Sequence, residues 1–179
     1  MVRSVWLVDM GFVVKAATDG DRFKLDYVAA RRFLEARLGR TDPYLFNSID
    51  SSLGVPAGLK AFYGVVERQG FKVCLSEMTG DPAEGTHRQH GVDEALIAQL
   101  AASAASPEIV SIVLTSGDAH FVPAVEEARH SHGKKVVLFA YDVNVSAELK
   151  AAVDQFWPLE AHEATLARNA GRPGRGGRR

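Results

Sequence analysis

The sequence predicts an α/β fold in which helices cover both faces of a mainly parallel sheet. Strand and helix signals alternate along the chain, and strands such as Ile109–Leu114 and Val136–Ala140 are apolar throughout instead of alternating with polar residues. Strands of this kind are typical of parallel sheets, because crossover helices bury both faces. We expect about five strands in one domain over residues 1–160, followed by a flexible Arg/Gly-rich tail over residues 161–179.

Each element is predicted from a local pattern. Strands are short runs of β-branched, aromatic and other apolar residues. They lie at Ser4–Val8, Tyr44–Phe46, Phe71–Leu75, Ile109–Leu114, Val136–Ala140 and Phe156–Leu159. Helices are indicated by apolar residues three and four positions apart, and by end signals such as Gly39 and Ser146. They lie at Leu25–Leu38, 59–70, Val92–Ser103, Val122–His132 and Ser146–Ala152.

Composition excludes several classes of protein. The 179 residues, 46% of them hydrophobic, suit a globular domain with a substantial core. No apolar run approaches the roughly 20 residues that span a bilayer, and the first residues show no signal-peptide pattern, so we expect a cytoplasmic protein without membrane contact. The phosphate loop of P-loop NTPases and the Gly-x-Gly-x-x-Gly turn of Rossmann dehydrogenases are both missing.

The net charge of −1 conceals an uneven distribution. The last twelve residues, 168–179, hold five arginines and no acid. Without them the 21 basic residues fall to 16 against 22 acidic ones, so residues 1–167 carry a net charge of −6. The basic tail is interpreted either as a solvated terminus or as an arm that captures phosphates, and the two interpretations are compatible.

Three aspartates are expected at one edge of the predicted sheet. Asp9 ends the first strand, Asp118 follows the strand Ile109–Leu114 within Ser-Gly-Asp, and Asp93 begins a helix. Ligands of open α/β sheets lie beyond the carboxyl ends of the strands. Each acid also has a purely structural interpretation, as a turn cap, a helix N-cap or a first-turn acid.

A carboxylate cluster of this kind favours a hard divalent cation. Like charges raise one another's pKa values unless a cation neutralises them, and oxygen ligands suit Mg²⁺ or Mn²⁺. Zinc is not expected, since no cysteine accompanies His87 and His90.

The chain resembles NYN domains of the LabA type, which have a PIN-like nuclease fold. The resemblance rests on Val5–Gly11, on His90-Gly-Val-Asp-Glu-Ala-Leu96 and on Leu114-Thr-Ser-Gly-Asp-Ala-His-Phe-Val-Pro123, in that order and spacing. It implies a Rossmann-like three-layer α/β/α sandwich and a metal-dependent ribonuclease. By motif match, it assigns the catalytic and metal-binding roles to Asp9, Asp93 and Asp118.

Two positions depart from the family pattern. Phe12 stands where the family usually has asparagine, and His120 stands where it has a second aspartate. His120 could still bind Mn²⁺ as a nitrogen ligand or donate to a phosphate. The alternative function is therefore a catalytically degenerate PIN-like domain that binds RNA or a protein partner without cleaving it.

Four further residues are candidate substrate contacts. Thr115 and Ser116 lie in the loop that carries Asp118, where they would position a phosphate. Arg88 and His90 lie in or next to a polar loop that precedes Asp93, and basic side chains there would contact phosphates. The expected partner is RNA, with a second copy of the chain or another protein as further candidates.

Overall fold

The computed structural model describes residues 2–19, 22–50, 53–77 and 90–168 of the chain. Its six strands are β1 (Arg3–Asp9), β2 (Thr41–Ile49), β3 (Lys72–Glu77), β4 (Ile109–Thr115), β5 (Lys135–Ala140) and β6 (Gln155–Pro158). They form one sheet in the order β3-β2-β1-β4-β5-β6, and every neighbouring pair is parallel. The sheet therefore has one strand more than the five or so that were expected.

The helices are α1 (Met10–Asp19), α2 (Tyr27–Leu38), α3 (Ala57–Arg68), α4 (His90–Ala105), α5 (Val122–His130), α6 (Ala147–Ala152) and α7 (Glu163–Leu166). Short 3₁₀ turns span Ala119–Phe121 and Leu159–His162. Within the described ranges, no helix is long and apolar enough to cross a bilayer.

The sheet separates two hydrophobic layers. Leu7 of β1 packs in a layer with buried residues of α4 and α5, whereas its neighbours Trp6 and Val8 pack against α1, α2 and α3. Successive side chains of a strand point to opposite faces, so a strand can be apolar throughout only when both faces are covered. This arrangement confirms the predicted α/β/α sandwich.

A buried chain of hydrogen bonds joins the three central strands near their carboxyl ends. Trp6 of β1 donates from Nε1 to Thr115 Oγ1 at 2.9 Å, and the same hydroxyl donates to the carbonyl of Phe139 on β5 at 2.5 Å. All three residues are fully buried. Because each polar group has a partner, the hydrogen bonds offset the cost of burying these groups and link β1, β4 and β5 within the core.

Helix α1 was not predicted, because its sequence gives a weak local signal. Gly11 and the β-branched Val13 and Val14 have low helix propensity. The helix forms because Asp9 accepts a hydrogen bond from the Phe12 N–H at 3.1 Å and because its inner face, including Val13, is buried. In α1, tertiary packing and the Asp9 cap therefore outweigh the low helix propensity of the sequence.

The folded unit continues past residue 160, where the sequence predicted the boundary. Leu166 of α7 is fully buried, and its carbonyl accepts a hydrogen bond from the Asp26 N–H at 2.8 Å. Arg168 N–H donates to the carbonyl of Lys24 at 2.7 Å. The domain therefore extends to at least residue 168, and residues 169–179 lie outside the described part of the chain.

Asp154 should contribute to stability in a pH-dependent manner. Its carboxylate accepts hydrogen bonds from Arg129 Nε and Nη2 and from the Val136 N–H. Burial acts to raise its pKa, but these hydrogen bonds and the Arg129 charge outweigh burial, so that the pKa lies below its ordinary value. A lowered pKa in the folded state stabilises the protein above the unfolded-state pKa and loses that effect in acid.

We therefore expect Asp154→Asn to lower the free energy of unfolding by about 1–2 kcal/mol at neutral pH. The difference from wild type should shrink as the pH falls through the lowered pKa of Asp154. Urea denaturation across pH checks this, with the exposed Glu126→Gln on α5 as the control. A difference that stays constant down to acid pH would contradict the charge-based explanation.

Candidate active site

The site lies where the strand order reverses. From β1 the chain proceeds to β2 and β3 on one side of the sheet, and from β4 it proceeds to β5 and β6 on the other. Val8 pairs with Thr115, so that Asp9 and Ser116 leave the paired strands side by side. Loops diverge at such a point and leave a crevice beyond the carboxyl ends of the strands.

A cleft of about 690 Å³ occupies this crevice. Three segments line it: the β1–α1 junction with Asp9, Phe12 and Lys15, the loop after β4 from Ser116 to Ala119, and residues 144–146 after β5. The predicted edge of the sheet is therefore the one that carries an open polar cleft.

Asp9 is largely buried and already holds two hydrogen bonds. Its Oδ1 accepts from the Phe12 N–H at 3.1 Å, and its Oδ2 accepts from Ser116 Oγ at 3.2 Å. Burial raises the pKa of Asp9 most strongly, and the Asp118 charge raises it further, against the lowering effect of the hydrogen bonds. A backbone hydrogen bond from Gly11 also lowers this pKa, and a carboxylate has about four acceptor positions, so these bonds do not exclude a cation.

Asp118 is both the cap of a turn and a residue of the cleft. Its Oδ1 accepts a hydrogen bond from the His120 N–H at 2.9 Å and caps the 3₁₀ turn Ala119–Phe121. The residue also lines the cleft, as Asp9 does. The N-cap role fixes where the carboxylate lies without occupying all of its acceptor positions.

Asp93 lies beside this pair in the first turn of α4. Burial raises its pKa, followed by repulsion from Asp9, Asp118 and Glu94, while His120 lowers it. The residue is not among those that line the cleft. The structure thus pairs Asp9 and Asp118 in the cleft and places Asp93 within electrostatic range of both.

The start of α4 is fixed by the end of β3. Ser76 Oγ donates to the carbonyl of Gly91 at 2.8 Å, and a Cβ at Gly91 would lie 2.8 Å from the Ser76 Cβ. This close approach requires glycine two positions before Asp93. The Gly-Val-Asp motif therefore has a packing reason in this fold, since it brings the helix start up to the sheet edge.

The candidate substrate contacts differ in their placement. Ser116 lines the cleft, but it is buried and its hydroxyl donates to Asp9. The Thr115 side chain is fully buried and its hydroxyl is bound to Trp6 and Phe139. Arg88 lies outside the described residues. The backbone of His90 begins α4, but its side chain also lies outside what the structure describes.

The donor chemistry of the cleft fits a hard divalent cation. In the described ranges, no three His, Cys, Asp or Glu side chains are close enough to hold one ion together, and His120 is exposed and outside the cleft lining. Mg²⁺, however, is commonly held by one or two carboxylates, with water and substrate phosphates completing its shell. Asp9 and Asp118 would supply that carboxylate pair.

Lys15 is a cleft residue that the sequence analysis did not identify. It lies on α1, six residues after Asp9, and its side chain is exposed. Recognising it required α1 itself, because only a helix places Phe12 and Lys15 on one face. Asn144 is a second such residue, and its φ of 64° places it in the left-handed region, which asparagine tolerates well.

Gly117 allows the loop after β4 to pack tightly against two neighbours. A Cβ at this position would lie 2.2 Å from the Asn144 carbonyl oxygen and 2.6 Å from Phe12 Cε2. The Gly117 carbonyl accepts a hydrogen bond from the Ser146 N–H at 2.8 Å. All three segments of the cleft thus meet at one glycine.

Replacement of Gly117 by alanine should therefore disrupt the site. We expect Gly117→Ala to lower the free energy of unfolding by about 1–3 kcal/mol, because backbone and a ring must move. Gly58→Ala is a matched control, since nothing lies within 4 Å of a Cβ there. Denaturant unfolding of both variants checks this, and equal stabilities would contradict the close packing.

The contribution of Asp9 to the free energy of unfolding of the metal-free protein should be less favourable at neutral pH than in acid. Its raised pKa means that the folded state keeps a proton that the unfolded state, with an ordinary pKa of 3.8, has lost. The free energy of unfolding therefore falls as the pH rises from about that value through the raised pKa.

We expect Asp9→Asn to be more stable than wild type at neutral pH, by about 1 kcal/mol, and equal to it below the unfolded-state pKa. Denaturation in EDTA across pH measures the difference between the two proteins. A difference that does not grow with pH would show that Asp9 is not the group responsible.

The overall fold has a counterpart among solved structures. The described fold is similar to the crystal structure of a protein of unknown function from Vibrio parahaemolyticus, with a TM-score of 0.75 and 18% identity over 92% of this chain and 96% of that one. This likeness supports the fold alone. A search of the curated proteins gives no significant match.

Family membership follows from the sequence match. Residues 14–160 match the NYN domain, a family whose members are generally nucleases. The matched segment contains Asp93 and Asp118 and begins shortly after Asp9 and Phe12. This chain belongs to the NYN domain family.

Proposed function

We propose that the protein is a divalent-metal-dependent ribonuclease that hydrolyses RNA phosphodiester bonds in the cleft between Asp9 and Asp118. One observation carries the proposal: two carboxylates face the same open cleft at the switch point of an NYN domain. The raised pKa values of Asp9 and Asp93 support it, since burial and then the neighbouring carboxylates disfavour their charged forms, and a bound cation would offset both effects.

In the proposed reaction, water attacks phosphorus and releases one proton to solvent as the new P–O bond forms, and the bond to the leaving oxygen breaks as that oxygen takes up one proton from solvent. Asp9 and Asp118 would hold Mg²⁺ or Mn²⁺, with the Asp93 charge adding to the attraction. A bound ion would lower the pKa of the attacking water and offset charge on the phosphate. The Phe12 N–H and the Ser116 hydroxyl keep the Asp9 carboxylate in a fixed orientation.

A second candidate is RNA or protein binding without cleavage. Phe12 favours it, because its ring packs against Gly117 where the family pattern has an amide. His120 favours it too, since an imidazole replaces a fourth carboxylate and is exposed outside the cleft lining. The two candidates differ in one measurable respect, namely whether bound RNA is cut.

Asp118→Asn separates the two candidates. Asparagine is also a good N-cap, so the variant should fold. We expect wild-type protein to cleave mixed-sequence RNA in Mn²⁺ or Mg²⁺ and not in EDTA. In the variant the cleavage rate should fall about 100-fold or more, because a ligand charge is lost. Asp19→Asn, an exposed change at the far end of α1, is the matched control.

Thermal melts of the same proteins measure metal binding independently of cleavage. An ion that binds the folded state stabilises it by mass action, so Mn²⁺ should raise the melting temperature of wild type more than that of Asp118→Asn. RNA that is bound but not cut in either metal would refute the nuclease and support the binding domain.

A further inference from the structure

Lys15 is the only cationic residue that lines the cleft in the described part of the chain. It shares the cleft with the Asp9 and Asp118 side chains. Its own side chain is exposed and forms no ion pair with any described residue. A structural salt bridge therefore does not account for this ammonium group.

Contacts on two sides of helix α1 fix the helix, and the helix in turn holds Lys15 at the cleft. Met10, Val13 and Ala16 are buried and anchor the inner face. Phe12 anchors the cleft side, since its ring abuts Gly117 and its N–H is bound to Asp9. Residues three apart share one face of a helix, so Lys15 follows Phe12 along the wall of the cleft.

The negative charge of the cleft would repel a phosphate, and the positive charge of Lys15 opposes that repulsion. Asp9, Asp93 and Asp118 attract a metal cation but repel the phosphates of a nucleic acid. Residues 1–167 carry a net charge of −6, so the body of the protein repels phosphates as well. Beside the divalent ion of the proposed function, a second positive group in the cleft counters this repulsion, and an ammonium is a compact point charge that suits a phosphate oxygen.

We infer that Lys15 binds a non-bridging phosphate oxygen of the substrate strand inside the cleft. This inference rests on the proposed function for the identity of the substrate. It makes α1 a substrate-binding element: Asp9 and Phe12 fix the start of the helix, and Lys15 presents the charge one turn later. Phe12, which replaces a polar residue of the family pattern, acts here as the support that positions Lys15.

The test measures binding separately from cleavage. A short fluorescein-labelled single-stranded RNA of mixed sequence is titrated with Asp118→Asn in Mn²⁺, with or without Lys15→Gln. We expect Lys15→Gln to weaken binding about tenfold for all sequences, and to reduce the salt slope by about 0.7, which corresponds to one lost phosphate contact on a single strand. Lys15→Arg, which keeps the charge, should restore most of the affinity.

Lys60→Gln on α3 is the matched control, since Lys60 is exposed, lies outside the cleft lining and carries the same charge. In the otherwise wild-type protein, Lys15→Gln should raise KM for RNA cleavage more than it lowers kcat. Equal affinity and salt slope for Lys15→Gln and Lys60→Gln would overturn the inference.

The outcomes distinguish this inference from the proposed function. Wild-type cleavage with an unchanged KM in Lys15→Gln would refute the Lys15 contact and leave the nuclease intact. Binding that depends on Lys15 without cleavage by wild type would refute the nuclease and leave the phosphate contact intact. Because Lys15 is exposed, its replacement should not impair folding, and thermal melts of each variant verify this.

Discussion

The parallel pairing of β1 with β4 is the constraint on which the site depends. These strands are distant in sequence, and their register places Asp9 beside Ser116 at the one point where the sheet order reverses. The buried Trp6–Thr115–Phe139 hydrogen bonds hold that register from within the core. Thr115 and Ser116 are adjacent in sequence but have different partners. The Thr115 hydroxyl links the strands, and the Ser116 hydroxyl donates to Asp9 at the cleft.

The cleft combines features that conflict with stability. A largely buried carboxylate with a raised pKa costs folding free energy, and a second carboxylate across the cleft adds to that cost. Such local conflicts are expected where a site is kept for binding or chemistry, because the rest of the fold is internally consistent. The continuous apolar strands and the two well-packed layers provide the stability that offsets them.

Phe12 shows how one aromatic side chain connects a helix to a loop of the cleft. Here an aromatic ring packs against Gly117, and this contact joins α1 to the loop that bears Asp118. Phe12 and Lys15 both line the cleft and lie three residues apart on α1, so this contact also holds the helix face that carries Lys15.

The sequence alone determined the alternation of strands and helices, the sandwich and the strand ends at which Asp9 and Asp118 lie, because apolar runs and strand-end motifs are local signals. The N-cap at Ser146 and the helix end at Gly39 were predicted for the same reason, and the structure confirms both. Only the tertiary structure decided that α1 forms, that the Thr115 hydroxyl is used in the core, and that Lys15 reaches the cleft. Those outcomes depend on packing between residues far apart in sequence, which no local pattern encodes.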